Sequence, residues 1–182
     1  MCNQCEKKPV YEFTNKRKVC ARCFVKYFDK KARYIIRKFK MIKPGEIIGY
    51  ENKKDFRGVV LEHVLKIFAE YSGIEIVKLS SKKKVDKVAI SSTIDLEADK
   101  IIHCFVEGDV KKLKSFAVEG RIIKPLYLFL NEEVLLYAKL RKLKFKKTSE
   151  NKDEISRFLG NLEKKHPEVK RAIVNSWLEL NK

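Results

Sequence analysis

The sequence predicts an α/β fold in which an N-terminal four-cysteine zinc ribbon precedes a Rossmann-like, mostly parallel sheet and a helical C-terminus. Three patterns lead to this prediction. Two C-x₂-C pairs lie within the first 23 residues. Between residues 46 and 107, short strand-like runs alternate with longer amphipathic runs, which is the order that builds a parallel sheet. From residue 131 onward, apolar residues recur at helical spacing.

The first four cysteines form the pattern C-x₂-C-x₁₄-C-x₂-C, which predicts one tetrahedral metal site. A short hairpin with strands at 10–13 and 17–19 brings the second pair back to the first. We expect structural Zn²⁺, because four thiolates leave no open position for catalysis; a [4Fe–4S] cluster or a redox dithiol is the alternative. The fifth cysteine, Cys104, is expected to be a core thiol. The predicted metal ligands are Cys2, Cys5, Cys20 and Cys23.

Positive charge is concentrated at the N-terminus. The net charge is +18, and residues 1–43 hold 14 of the 42 Lys and Arg but three of the 24 Asp and Glu. A helix predicted at 24–40 presents five of these cations at spacings of three and four, which places them in one row. Such a row favours a polyanion, and RNA is the predicted partner; an ordinary solvated helix face is the alternative. The predicted RNA-binding residues are Lys16, Arg17, Lys18, Lys26, Lys30, Arg33, Arg37 and Lys40.

The body of the chain reads as strands at 46–50, 74–79 and 86–91 with helices at 54–72 and 95–107. In the first of these helices, the apolar face is predicted to comprise Val60, Val64, Ile67, Phe68 and Tyr71, with His63 packed beside it. Three further helices are predicted at 131–143, 151–165 and 168–180, the second capped by Ser149 or Asn151 and the third buried through Val169, Ile173, Trp177 and Leu180.

These elements divide the chain into a zinc-ribbon module at 1–25, a basic linker helix at 26–43, an α/β domain at 44–145 and a helical segment at 146–182. No apolar run is long enough to span a bilayer, and the N-terminus lacks the apolar segment of a signal peptide. We therefore expect the protein in the cytoplasm.

Four segments, in collinear order, resemble the PP-loop ATP pyrophosphatases that 2-thiolate tRNA uridines, namely the TtuA/TtcA group and the cytosolic tRNA thiolase subunits. ENKKDF at 51–56 stands where the family has SGGKDS, and AISSTIDLEA at 89–98 stands where it has ATGHNLDDEA. Residues 120–145 resemble the family's KPL…EKEV.LYA segment, and residues 157–177 resemble its FL..LE..HPG.K..I tail. The resemblance implies an adenine nucleotide alpha hydrolase-like fold and an ATP site at Lys54, Asp55 and Asp95.

The residues that give this family its chemistry are replaced. Glu51, Asn52, Lys53 and Phe56 stand in place of the loop's serines and glycines. The loop therefore lacks the glycines that let backbone N–H groups wrap a pyrophosphate, and the Glu51 carboxylate repels phosphate. The intervals where the family carries catalytic or cluster-binding cysteines, here 80–85 and 146–149, hold none.

By analogy with the eukaryotic thiolase, which pairs an active with a degenerate subunit, we interpret the chain as a pseudoenzyme that binds tRNA. It is expected to hold structural Zn²⁺, a vestigial ATP site and no Fe–S cluster, and to pair with an active paralogue or with itself as a dimer. Three alternatives remain: a tRNA sulfurtransferase with weak ATP use, a stand-alone zinc-ribbon RNA-binding protein, and a structural homodimer without an RNA role.

Overall fold

A computed structural model describes residues 1–109, 113, 115–147 and 153–181. It begins with the predicted hairpin, whose strands are shorter than expected: β1 (Tyr11–Glu12) pairs antiparallel with β2 (Lys18–Val19). Lys16, in the connecting turn, has a φ of 65°, which allows the chain to reverse within a few residues. The hairpin places the two cysteine pairs at the same end of the module.

The basic helix, α1 (Ala21–Lys38), starts earlier and ends earlier than predicted. Phe24, Phe28 and Ile35 are fully buried on its inner face. The helix ends because Lys40 adopts a left-handed conformation, with a φ of 48°, and the N–H of Met41 bonds back to the carbonyl of residue 36. Lys40 therefore lies beyond the helix, and the prediction that it continues the helical row is wrong.

The sheet has five strands in the order β4-β3-β5-β7-β6. The first four of these strands are mutually parallel, as predicted, and β6 is antiparallel to β7. The β6–β7 hairpin was not predicted, because each of its strands is two residues long. The strands are β3 (Ile47–Tyr50), β4 (Glu75–Lys78), β5 (Lys87–Ala89), β6 (Val118–Glu119) and β7 (Ile122–Ile123).

The described residues form five further helices around the sheet. From β3, the chain runs through α2 to β4, which is the neighbouring strand on one side. From β5, it runs through α3 towards β7, which is the neighbouring strand on the opposite side. Right-handed crossovers therefore put α2 and α3 on opposite faces. Contacts follow this division: α1, α2 and α4 pack together, and α3, α5 and α6 pack together. The helices are α2 (Phe56–Ser72), α3 (Ile94–Val106), α4 (Asn131–Leu140), α5 (Glu154–Lys165) and α6 (Val169–Leu180).

Two predicted cap residues for α5, Ser149 and Asn151, lie outside the described residues. The cap is Asp153, whose carboxylate accepts from the N–H of Ser156 at 2.9 Å. Among the described residues, no helix is long and apolar enough to cross a bilayer.

Stacked aromatic rings form the centre of the core. The Phe28 ring lies 4.0 Å from both Phe129 and Tyr137, measured between centroids, and so joins α1 to α4. Two residues of the predicted apolar stripes are largely exposed: Tyr71 is 79% exposed and Leu180 is 77% exposed. Both lie at the C-terminal end of their helix, where no other element covers them in the described chain.

Candidate metal centre and nucleic-acid surface

The four N-terminal cysteines converge on one point beside the start of α1. Cys20 is the N-cap of that helix and Cys23 lies in its first turn, while Cys2 and Cys5 lie in the N-terminal turn. The Sγ of Cys5 lies 3.3, 3.6 and 3.7 Å from the other three sulfurs, and all four lie within 4.8 Å of one another. Asn3 closes the turn, since its Oδ1 accepts from a backbone N–H of β2 at 2.7 Å. The hairpin thus assembles a four-thiolate donor set.

The environments of the thiols differ. Desolvation raises the pKa of Cys2, but backbone N–H groups, including that of Gln4 at 3.5 Å, outweigh it and bring the pKa to about 6. Burial raises the pKa of Cys23, and its sulfur neighbours raise it further. Cys5 is exposed while the other three are buried, so solvent reaches the site from the Cys5 side.

The loop that follows β3 packs against the first turn of α2. The Asp55 carboxylate accepts from the N–H of Gly58 at 2.9 Å and from Nε of Arg57 at 3.2 Å. A Cβ at Gly58 would overlap the carbonyl oxygen of Lys53, so only glycine permits this close approach. Glu51 pairs with Lys53 at 3.0 Å. The helix N-terminus, where a phosphate would bind, is therefore occupied by a carboxylate of the same chain.

The three residues predicted to bind ATP do not share one open site. The Lys54 side chain is exposed, and its carbonyl accepts from the N–H of Lys146 at 2.7 Å. The Asp95 carboxylate accepts from the N–H of Asn131 and from Nζ of Lys170, each at 2.6 Å. Asp95 thereby holds the start of α4 to α6, which is a structural role.

A cleft of about 1220 Å³ lies at the edge of the sheet that the carboxyl ends of its parallel strands form, near β3 and β5, where the strand order reverses. Its walls are the β1–β2 hairpin, the N-terminal ends of α2, α3 and α4, and α5. Small ligands of open α/β sheets bind at this edge. The charged side chains that line the cleft carry both signs, and they include Glu12, Lys16, Arg57, Asp95, Arg157 and Lys170.

The three predicted RNA-binding cations of the hairpin already have partners. Lys16 and Lys18 both approach Glu12, at 4.0 and 3.4 Å. The Arg17 guanidinium lies 4.4 Å from the centroid of the Phe13 ring, over its face. Exposed ion pairs are weak, so Lys16 and Lys18 are available to another anion, whereas Arg17 is held by the aromatic ring.

The four predicted RNA-binding cations within α1 have no such partners. Lys26, Lys30 and Arg37 are exposed, and Arg33 is half-buried. None of these four, nor Lys40, forms a salt bridge with an acidic side chain in the part of the chain that the structure describes. The structure therefore leaves four adjacent positive charges on one helix uncompensated, and this arrangement suits a phosphate backbone.

One buried charge cluster escaped the sequence analysis. Lys124 is 2% exposed, and its Nζ lies 2.8 Å from Oε1 of Glu97 and 2.6 Å from Oε1 of Glu119. Ser92 and Ser115 donate to the same Glu97 carboxylate. The sequence does contain a signal for this cluster: Lys124 follows two isoleucines and precedes Pro-Leu-Tyr, so it lies within an apolar run. A lysine in such a run is buried only when it is paired with an acidic group.

A second cluster joins the two groups of helices. Glu133 of α4 is fully buried, and it accepts from Arg171 of α6 at 2.9 Å and from the N–H of Leu130 at 2.8 Å. From α1, Nζ of Lys31 lies 3.5 Å away and the Tyr27 hydroxyl 3.4 Å away. Burial lowers the pKa of Lys31 to about 8, although the Glu133 charge opposes the shift.

Known proteins give two points of comparison, and no family model matches the chain. A "Probable sulfurtransferase" of Methanocaldococcus jannaschii is 28% identical over 117 residues, which cover 58% of this chain and 34% of the relative. The chain thus spans about a third of that protein's length. Among solved structures, the U34-tRNA thiolase NcsA from Methanococcus maripaludis, with its [4Fe–4S] cluster, superposes with a TM-score of 0.76. The sequence identity is 23%, and the match covers 98% of this chain and 86% of that one. The shared fold is the α/β fold predicted from the sequence.

This comparison corrects the expected cofactor. Structural Zn²⁺ without any Fe–S cluster was expected, but the solved structure with this fold carries a [4Fe–4S] cluster, and the described chain offers a four-cysteine site. The expectation failed because the spacing of two C-x₂-C pairs fits both: four thiolates are the ligand set of a structural zinc ion and of a [4Fe–4S] cluster alike.

Proposed function

We propose that this chain belongs with the PP-loop tRNA thiolases and serves tRNA thiolation as a non-catalytic tRNA-binding subunit. The observation that carries the proposal is the row of uncompensated cations on α1, directly after the four-cysteine module. The likeness in fold to a U34-tRNA thiolase and the partial match to a sulfurtransferase support the choice of tRNA and of sulfur transfer. The chemistry itself is then performed by an active paralogue, or by a second subunit with which this chain pairs.

The loop after β3 supports the non-catalytic role. A pyrophosphate cradle needs successive N–H groups that converge on one anion. Residues 51–56 contain no left-handed backbone, and the Asp55 carboxylate already accepts from the first turn of α2. A second negative charge at this position is repelled. The isolated chain should therefore not convert ATP to AMP and pyrophosphate, and robust AMP release would refute this part of the proposal.

Cys2, Cys5, Cys20 and Cys23 would hold the Fe–S cluster. The donor set fits, since four thiolates are the usual ligands of [4Fe–4S]. A cluster with one cysteine on each iron has no open iron position, so it supplies structure to the module rather than a place for incoming sulfur. Cys5 is the exposed member of the set, so an incoming cluster would reach the thiolates from its side.

Anaerobic purification followed by iron, sulfide and zinc analysis tests the cluster. About four irons and four sulfides per chain, with a visible absorption that disappears in a Cys5→Ser/Cys20→Ser variant, are expected. One zinc per chain without sulfide would overturn the cluster assignment and leave the RNA proposal untouched.

A salt titration of tRNA binding tests the α1 surface. A Lys26→Gln/Lys30→Gln variant removes two unpaired charges and retains good helix propensity. If both lysines contact phosphate, the slope of log affinity against log salt should fall by roughly 1.4–1.8. The matched control is Lys82→Gln/Lys84→Gln, which removes two exposed charges from the loop after β4. Equal slopes in wild type and the α1 variant would refute α1 as the tRNA surface.

A further inference from the structure

A second groove lies between α1 and the last turn of α2, and it shares no lining residue with the cleft at the sheet edge. Its volume is about 300 Å³, the lower end of the range for small-ligand pockets. Phe68 is half-buried, so it forms a floor, while Tyr71 stands open to solvent at one side. The groove is lined by Arg33, Arg37, Phe68, Tyr71 and Ser72.

The charges around this groove favour an anion. Arg33 and Arg37 lie one helical turn apart, and neither pairs with an acidic side chain among the described residues. Guanidinium groups donate in a planar fork that matches a phosphate. The groove is continuous in sequence with the cationic row of α1, since both arginines belong to that row.

The aromatic wall favours a base. The apolar period of α2 includes Tyr71, yet the side chain is 79% exposed instead of joining the core. An exposed aromatic ring beside arginines is the combination that proteins use to hold unpaired nucleotides, because every base has a π-face that stacks on such a ring.

We propose that this groove holds one unpaired nucleobase of the bound RNA, stacked on Tyr71, with the adjoining phosphate on Arg33 and Arg37. The inference rests on the proposed tRNA-binding function and specifies the structural element that the site recognises: a nucleotide in a single-stranded loop or end, not a paired stem. In this proposal, Lys26 and Lys30 contact the phosphate backbone of single-stranded and paired RNA alike.

Binding of two probes tests this. The probes are an unstructured oligouridylate and an RNA duplex of the same length. Tyr71→Ala should weaken oligouridylate binding roughly 5- to 150-fold, the range for loss of one stacked base, and should leave duplex binding unchanged. Tyr71→Phe should bind as the wild type does, because the ring is retained. Phe158→Ala is the control, since Phe158 is also an exposed aromatic residue, 60% exposed, but lies on α5.

The possible results distinguish a failure of the base site from a failure of the proposed tRNA-binding function. If the wild type binds no RNA at any salt concentration, both the proposed function and the inference fail. If the wild type binds and Tyr71→Ala binds equally well, or loses duplex and oligouridylate equally, the base site is wrong and the tRNA-binding function stands. If Tyr71→Ala instead converts a dimer to a monomer in light scattering, without a loss of RNA affinity, the groove belongs to a second copy of the chain.

Arg33 and Arg37 also have an alternative, purely structural role, and an experiment distinguishes it from phosphate binding. The last turn of α2 has no basic residue of its own, so Arg33 and Arg37 could serve only to offset the negative end of that helix. An Arg33→Gln/Arg37→Gln variant should reduce the salt slope for oligouridylate by about 1.4 if both contact phosphate. A lower melting temperature with an unchanged slope would overturn their assignment to phosphate.

Discussion

Replacement of Glu133 by alanine should destabilise the protein far more than the same replacement of its exposed neighbour Glu132. The side chain is fully buried and accepts from Arg171 and from the backbone N–H of Leu130, while Lys31 approaches within 3.5 Å. Alanine leaves the two cations in a largely buried place without their carboxylate. It also removes the acceptor that caps the first turn of the helix.

The magnitude follows from the burial. Removing one partner of a buried ion pair costs about 3–5 kcal/mol, because the other charge is left uncompensated. With about 2.1 cal/mol/K per residue, a chain of 182 residues has an unfolding entropy of roughly 380 cal/mol/K at its midpoint. The melting temperature should therefore fall by roughly 8–13 °C.

Calorimetry of equally metal-loaded wild type and variants measures this. Glu132→Ala is the matched control: the residue is adjacent and exposed, and it accepts one hydrogen bond from the Tyr11 hydroxyl at 2.7 Å. Its loss costs about 1 kcal/mol, which corresponds to roughly 3 °C. Glu133→Gln keeps the volume but removes the charge, so it should resemble alanine. Melting temperatures for Glu133→Ala and Glu132→Ala that agree within error would show that the buried charge network does not join the helices.

Two further predictions concern Lys31 and Asp55. Because burial lowers the folded pKa of Lys31 to about 8, below its ordinary value of 10.5, the unfolded chain binds more protons between these pH values. The free energy of unfolding should therefore gain a rising contribution from pH 8 towards pH 10. Lys31→Met should flatten that rise in denaturant titrations, and a parallel pH dependence would contradict the assignment. Asp55→Ala removes the N-cap of α2, which costs about 1 kcal/mol. Added phosphate should raise the melting temperature of this variant more than that of the wild type, because the helix N-terminus becomes free for an anion; an equal response would indicate that the carboxylate does not block the site.

Much of the fold follows from local patterns. The cysteine spacing predicts the N-terminal module because two turns and one hairpin are enough to bring four thiolates together. The parallel sheet follows from the alternation of short and long apolar runs, and helix bounds differ from prediction by a few residues. Lys40 shows where local patterns fail. It adopts a left-handed conformation after the end of α1, and because it is not glycine, no sequence propensity predicts that the helix ends there.

Other features depend on tertiary contacts that no local pattern contains. The apolar period of α2 includes Tyr71, but nothing in the sequence shows that the folded chain leaves this side chain 79% exposed. The burial of Lys124 depends on ion pairs with Glu97 and Glu119, which belong to other elements of the fold. The cofactor is a different case: the four cysteines converge as their spacing predicts, but four thiolates do not distinguish one metal centre from another.

Two residues that resemble an ATP site make contacts within the fold, and these contacts support the proposed non-catalytic role over weak ATP use. Asp55 caps α2, and Asp95 binds Lys170 and the first N–H of α4. A nucleotide at this edge of the sheet would have to compete with bonds that hold three helices in place. Glycines restored in the loop would leave these bonds intact, so under the proposed non-catalytic role the packing as well as the loop sequence opposes nucleotide binding.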